Sequence, residues 1–400
     1  MTDLLVRVYR VRFGDAILVV VPDIDGGQEV KRHILFDFGN ALGTEGGQDV
    51  VFEPVIDDIR SVLGGQPLDL YVMTHEHLDH VQGLFYAADR LHKTITCEQA
   101  WLTGSADPTY YDQPGHEDAK KQKVAALAAF NMAAPRLRAT ADRSPFSDVL
   151  LATNDTRSTA KCVDFLRTKL TKPGDVHYVD RTTDLSTLQP ATSARLALWA
   201  PEENTADYYG RFKALANSLR IGADADLDAV AAATDPDGAD FLLLPKPLAG
   251  VDAGAFYNLI DIRHANLAST LLQIDKAANN TSVVVQLEWH GWRLLFPGDA
   301  EKRSWRTMDK HGLIQPVHFL KVSHHGSHTG MPPTEILDKL LPLPAPDNRG
   351  RRAAVSTFPK TYEGVPDEAT LVELRKRTTL SSTTDLPAGQ LFVDFTFSPT

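Results

Sequence analysis

Apolar and polar positions alternate from the start of the chain. Leu4 to Val11 and Ala16 to Val21 read as strands separated by Phe13-Gly14-Asp15. A turn over Asp23 to Gln28 leads to a third strand, His33 to Phe38, which ends at Gly39-Asn40. A helix is predicted over Val51 to Val62, closed by Leu63-Gly64-Gly65. The apolar strand Leu68 to Met73, of the kind buried on both faces, then runs into Thr74-His75-Glu76-His77-Leu78-Asp79-His80. A helix over Leu84 to His92 and a strand over Ile95 to Leu102 complete this unit.

The middle of the chain is less regular. Residues from about 103 to 158 and from about 202 to 265 mix helical stretches (Asp118 to Met132, Tyr209 to Leu219) with turns such as Asp235-Pro236-Asp237-Gly238. They read as two largely helical insertions in one domain spanning 1–400. Between them lie a helix near Val163 to Leu170 and strands at Val176 to Val179 and Leu196 to Ala200. The last third returns to order. Ser282 to Trp289 and Trp292 to Phe296 form a hairpin, followed by Pro297-Gly298-Asp299 and a helix over Glu301 to His311. A strand at Val317 to Val322 enters Ser323-His324-His325-Gly326-Ser327-His328. A strand at Ala353 to Phe358, a helix over Asp367 to Lys376 and a strand at Gln390 to Phe397 follow. The pattern predicts an α/β (α+β) protein with two mixed sheets and helices outside them.

Composition narrows the class. Hydrophobic residues are 43% and charged residues 23% of 400, as in an ordinary folded protein. A net charge of −11 argues against a broad basic surface for nucleic acid or anionic membranes. Two cysteines, Cys97 and Cys162, cannot build a disulfide framework or a thiolate zinc site, and fit a reducing compartment. Met1 to Arg12 reads as a strand and not as the apolar core of a signal sequence, and no apolar run approaches the roughly 20 residues that span a bilayer. The expectation is a soluble, cytoplasmic protein.

Chemistry concentrates in three segments, each after an apolar strand. His75-x-His77-x-Asp79-His80 places four ligands of the imidazole and carboxylate type on one turn, a set suited to zinc, manganese or iron. Its spacing allows His75 and His77 to face one ion while Asp79 and His80 face a second. Asp299 at a strand end is placed to bridge two cations, with a helix N-cap as its alternative role. The pair His324-His325 is the third.

Together these segments resemble the metallo-β-lactamase superfamily, and within it the hydrolase domain of ComEC-type competence proteins and their free-standing relatives. Phe13-Gly14-Asp15-Ala16, Phe36-Asp37-Phe38-Gly39, Thr74 to His80, Asn280-Thr281-Ser282, Phe296 to Asp299, Lys321 to Ser327 and Tyr362 to Pro366 are similar to that family's motifs in order. The resemblance implies a four-layer αββα sandwich and two divalent ions, zinc or manganese. His75 and His77 would bind the first ion and Asp79, His80 and His324 the second, with Asp299 bridging and Asp37 orienting the ligand loop. A further histidine on the first ion is common in the superfamily. His116, His177 and His264 are candidates by position, with His264 ranked first. Val365 stands where relatives often carry histidine.

The activity implied is metal-assisted hydrolysis of a phosphodiester or nucleic acid. Asp79 is placed to orient the nucleophile, and His325 or His328, by proximity to His324 alone, to donate a proton to the leaving oxygen. Hydrolysis of an ester, lactone or thioester by the same ions is the alternative, and a non-catalytic binding protein a third reading. Lys321 and Lys360 would favour a phosphate substrate. The insertions are expected to set substrate choice, with Tyr110, Tyr111, Tyr208, Tyr209 and Phe256 as aromatic surfaces.

Overall fold

The computed structural model describes residues 2–42, 47–138, 151–172, 174–209, 212–213, 217, 220, 250–254, 274–358 and 365–399. Within them, thirteen strands form two sheets. The seven-stranded sheet has the order β13-β1-β2-β3-β4-β5-β6 and the six-stranded sheet the order β12-β11-β10-β9-β8-β7. The first contains β1 (Leu4–Tyr9), β2 (Ala16–Asp25), β3 (Gln28–Phe38), β4 (Leu68–Met73), β5 (Cys97–Thr103), β6 (Val176–Val179) and β13 (Phe392–Phe397). The second contains β7 (Ala194–Ala200), β8 (Val284–Trp289), β9 (Trp292–Phe296), β10 (Phe319–Lys321), β11 (Arg352–Val355) and β12 (Thr379–Ser382).

Strand alternation explains the layering. Ile17, Val19 and Val21 of β2 and Ile34 and Phe36 of β3 meet Val285 and Leu287 of β8 and Leu294 and Phe296 of β9 in one core between the sheets. Phe36 and Phe296 stack across it with ring centres 4.4 Å apart. The opposite residues of β2, Ala16, Leu18 and Val20, face a helical layer instead. It contains α1 (Asp49–Leu63), α2 (Leu78–Asp89) and α4 (Thr156–Thr168). On the far side of the second sheet, Leu295, Leu320 and Val355 pack on α5 (Lys302–Lys310), α6 (Thr334–Leu340) and α7 (Glu368–Arg377). Both sheets are thus covered on both faces, which is why their strands read as nearly continuous apolar runs. The protein is a mixed α/β sandwich of helix, sheet, sheet and helix.

Asp23 at the end of β2 fastens this sandwich at one edge. Its carboxylate accepts hydrogen bonds from Thr192 N at 3.0 Å, Thr192 Oγ1 at 2.7 Å and Ser193 N at 2.8 Å, just before β7. Burial opposes the charge, yet these bonds hold the carboxyl well below its ordinary value.

Helix α2 begins six residues before the predicted Leu84, so Asp79 and His80 lie in its first turn and not on a loop. Within residues 103–158, Tyr110–Asp112 forms a 3₁₀ turn and α3 spans Glu117–Arg138. Most of the segment 202–265, expected as a second insertion, lies outside the described residues, including the helix expected over Tyr209 to Leu219 apart from a few positions. No helix among the described residues is long and apolar enough to cross a membrane.

Candidate metal centre

The C-terminal ends of β3, β4, β9 and β10 lie side by side, because β3 pairs with β4 and β9 with β10 in parallel. Each strand delivers one motif there. Glycines permit the approach. A Cβ on Gly39 would collide with the backbone of Asp79 and His80, and one on Gly298 (φ +53) would sit 2.7 Å from Thr74 Cβ. Asp15 N donates to Asp79 O at 3.0 Å, tying the start of β2 to the same turn. Ser282 Oγ accepts from Asp299 N at 3.1 Å, and Asn280 Oδ1 from Ser304 N at 3.0 Å, so the Asn-Thr-Ser segment anchors the Gly298-Asp299 turn and the start of α5.

Asp79, His80, Asp299 and His325 are all buried, and one ligand atom from each lies within 4.8 Å of all the others. His325 Nε2 is 3.1 Å from Asp79 Oδ2 and 3.6 Å from Asp299 Oδ2, while His80 Nε2 is 3.4 Å from Asp299 Oδ2. Ligands about 2.0–2.2 Å from a zinc ion stand at most about 4.4 Å apart, so small side-chain movements would bring this group within reach of one ion. Beside it, His75 Nε2 and His77 Nδ1 face each other at 3.0 Å, near the separation of about 3.3 Å expected for two nitrogens on one tetrahedral ion.

Outer contacts fix how each ring is presented. Asp37, itself at φ +51, accepts from His80 Nδ1 at 2.8 Å and from Thr74 N and Oγ1 at 2.8 and 2.7 Å. His80 therefore turns Nε2 inward. His325 Nδ1 donates to Ser356 O at 3.0 Å, which turns its own Nε2 toward the carboxylates. Thr74 Oγ1 lies 3.1 Å from His75 Nδ1 and leaves Nε2 of that ring toward His77.

The electrostatics favour positive charge at the centre. Burial alone would lower His80, but Asp299, Asp37 and Asp79 hold it well above its ordinary value. Burial would raise Asp79 and Asp299, yet His80 and His325 keep both below theirs, Asp299 strongly. His75 goes the other way: burial, reinforced by His80 and His77, keeps it neutral. Carboxylates that hold a proton on His80 would equally hold a cation. Moreover, His77 Nε2, His80 Nε2, Asp79 Oδ1 and Asp299 Oδ1 are buried without any hydrogen bond. Unsatisfied buried donors and acceptors are costly, and a divalent ion with its bound water would satisfy those facing the centre. The residues fit such an ion.

Two sequence-based roles change. His325, expected as a proton donor, stands among the ligand atoms, and His324, expected as a ligand, does not. The consecutive histidines have φ of +49° and +52°, a left-handed turn that sends their rings in different directions. His324 Nδ1 instead lies 3.3 Å from Glu301 Oε1, and its Nε2 lies 3.4 Å from Asn279 Nδ2. Burial lowers His324, but Glu301 and Asp299 raise it to about 9. Asp299 is no helix cap; it is buried in the cluster. Lys321 is also fully buried, donating to Asp15 Oδ2 at 2.7 Å and Val322 O at 3.1 Å, and is not available to substrate.

Of the candidates for a further ligand, His116 is buried against Tyr110, its Nδ1 2.7 Å from Tyr110 O, and His177 lies half-buried in β6. Neither joins a group of three or more ligand atoms among the described residues. His264, Lys360, Phe256 and Tyr362 to Gly364 lie outside the described residues. His328 is exposed and accepts from Lys302 Nζ at 3.0 Å, away from the cluster. Val365 packs with Phe13 and Ala41.

Sequence reasoning missed Asp275, Asn279 and Glu301, a buried polar group behind His324 linked through Asn279 Nδ2 at 3.2 Å to both carboxylates. Glu301, two residues after Asp299, carried a signal in its position alone. Asp275 and Asn279, four residues apart on one helical turn, carried none. No protein-family model matches the chain, and no curated protein matches it either, so the site is read from its own geometry.

Proposed function

We propose that the chain is a metal-dependent hydrolase of phosphodiester bonds and a divergent relative of the metallo-β-lactamase superfamily. One observation carries this reading. Buried ligand atoms from three segments far apart in sequence converge with orphaned lone pairs at the open ends of parallel strands, where α/β sheets place their sites. Asp79, His80, Asp299 and His325 would hold one divalent ion, and His75 with His77 a second. Such ions, zinc or manganese, would supply Lewis acidity, making a water acidic near neutral pH and offsetting charge on a phosphoryl group.

The chain's own residues do the rest. Asp37 and Ser356 fix the rings of His80 and His325 before substrate arrives, so no reorganisation is required during reaction. Asp79 has one oxygen toward His325 and the other unpartnered, which suits it to bind an ion and to orient a nucleophile by accepting its hydrogen bond. Proton delivery to the leaving group falls to His324, the imidazole outside the ligand group, which its carboxylate neighbours keep protonated. The two cysteines are buried free thiols, in keeping with a cytoplasmic location.

The test is hydrolysis of bis(4-nitrophenyl) phosphate by zinc- or manganese-loaded protein, alongside a lactone and a thioester. Phosphodiester cleavage that falls at least about 100-fold in Asp79→Ala supports the proposal. Turnover of the lactone alone, lost in the same variant, would replace it with the ester-hydrolase reading.

A further inference from the structure

A cavity of about 410 Å³ has His77 in its wall and lies in the size range of small-ligand sites. Its apolar side is made by Leu127 and Phe130 of α3, Val163 of α4 and Ile274. Its polar groups gather elsewhere. Lys123 Nζ lies 3.4 Å from Tyr209 Oη and 5.6 Å from the centre of that ring. Tyr111 shares the wall, and its hydroxyl is buried with no hydrogen-bond partner.

The other cations of the wall are already neutralised: Lys120 pairs with Asp112 and Arg167 with Asp164, both at 2.8 Å. Lys123 pairs with no carboxylate among the described residues. Burial opposes its charge, but the Tyr209 phenol and the more distant Glu76 hold the ammonium above its ordinary value. Glu76 and Asp107 line the same cavity, but neither forms an ion pair with Lys123, so its ammonium and the unsatisfied Tyr111 hydroxyl together leave donors that a bound anion would use.

We propose that this cavity binds a phosphate monoester carried on an aromatic or apolar body. The phosphate would sit on Lys123, Tyr111 and Tyr209, and the body against Leu127, Phe130 and Val163. Tyr110 and Tyr208 take no part, since their hydroxyls are tied to residues 202–205. On the hydrolase reading, on which its role as a substrate subsite rests, the cavity holds one end of the substrate while the scissile bond lies at the metal centre. Tyr111 and Lys123 from the first segment and Tyr209 from the second would then select substrate together.

Titration calorimetry of the full chain in chelator, with phenyl phosphate as probe and phenol as its uncharged counterpart, tests binding apart from catalysis. The expected result is one saturable site for phenyl phosphate and at least about ten-fold weaker binding of phenol. Lys123→Gln should weaken phenyl phosphate about ten-fold or more and Tyr209→Phe several-fold, with Asp79→Ala leaving the affinity unchanged. The Tyr209 variant removes only a hydroxyl and serves if Lys123→Gln fails to fold. No binding, equal binding of phenol, insensitivity to both cavity substitutions, or loss of binding in Asp79→Ala would each overturn the proposal. Binding with the expected sensitivities but no diester hydrolysis would leave the cavity standing and remove the hydrolase reading. Hydrolysis without such binding would do the reverse.

Discussion

At the scale of single residues, the division of labour between His324 and His325 is the sharpest claim. His325→Ala should cost metal affinity as a lost ligand does, whereas His324→Ala should retain metal and lose turnover. Metal content after dialysis, set beside hydrolysis rates, separates the two; equal metal loss in both variants would contradict the assignment. Asp37 touches the centre only through His80 and Thr74, so Asp37→Asn should weaken metal binding about 10–100-fold without unfolding the protein. The sequence announced all of these residue types at the right strand ends. It did not tell one neighbouring histidine from the other, because a strand pattern extrapolated past Lys321 cannot anticipate two successive left-handed residues. The Lys321–Asp15 pair was hidden for a related reason: alternation places a lysine on a face but does not say what that face meets. Breaking this buried pair by Asp15→Asn should cost about 3–5 kcal/mol in urea unfolding, the penalty of leaving an ammonium uncompensated.

At the scale of elements, the ligand cluster depends on backbones touching where side chains would separate them. Gly39→Ala places a methyl against the first turn of α2, the turn that carries Asp79 and His80. The expected outcome is a folded protein of lowered stability with impaired metal binding, measured by thermal unfolding with and without zinc. A shift of unfolding temperature by zinc as large as in the parent would count against the close approach. Strands buried on both faces were legible because apolar runs bounded by turn residues leave few other readings. Two elements were not. Strand β12, Thr379-Leu380-Ser381-Ser382, is a polar edge of its sheet with almost no pattern to detect. Helix α6 is only seven residues long, too short to show its period.

For the whole molecule, stability should depend on acid through Asp23, which fastens the end of β2 to the segment entering β7. Its carboxyl is depressed in the folded protein, so its contribution is complete above the unfolded value of about 4 and is lost as pH falls below that through the folded value. Asp23→Asn should therefore lower stability near neutral pH and flatten the decline in acid; an unchanged acid limb would argue against this fastening. The two-sheet arrangement itself was legible from strands alternating with helices. The walls around the centre were not, because the insertions lack a period that would assign their faces, and the cavity between α3, α4 and Tyr209 exists only once they pack.

On the proposed reading, the buried cluster of Asp79, His80, Asp299 and His325 holds a divalent ion. Elemental analysis of the protein, loaded with zinc or manganese and then dialysed, measures this directly. At least about one ion per chain is expected in the parent, with substantial loss in Asp299→Ala. A parent protein that keeps no ion, or an Asp299→Ala variant that keeps as much as the parent, would contradict it.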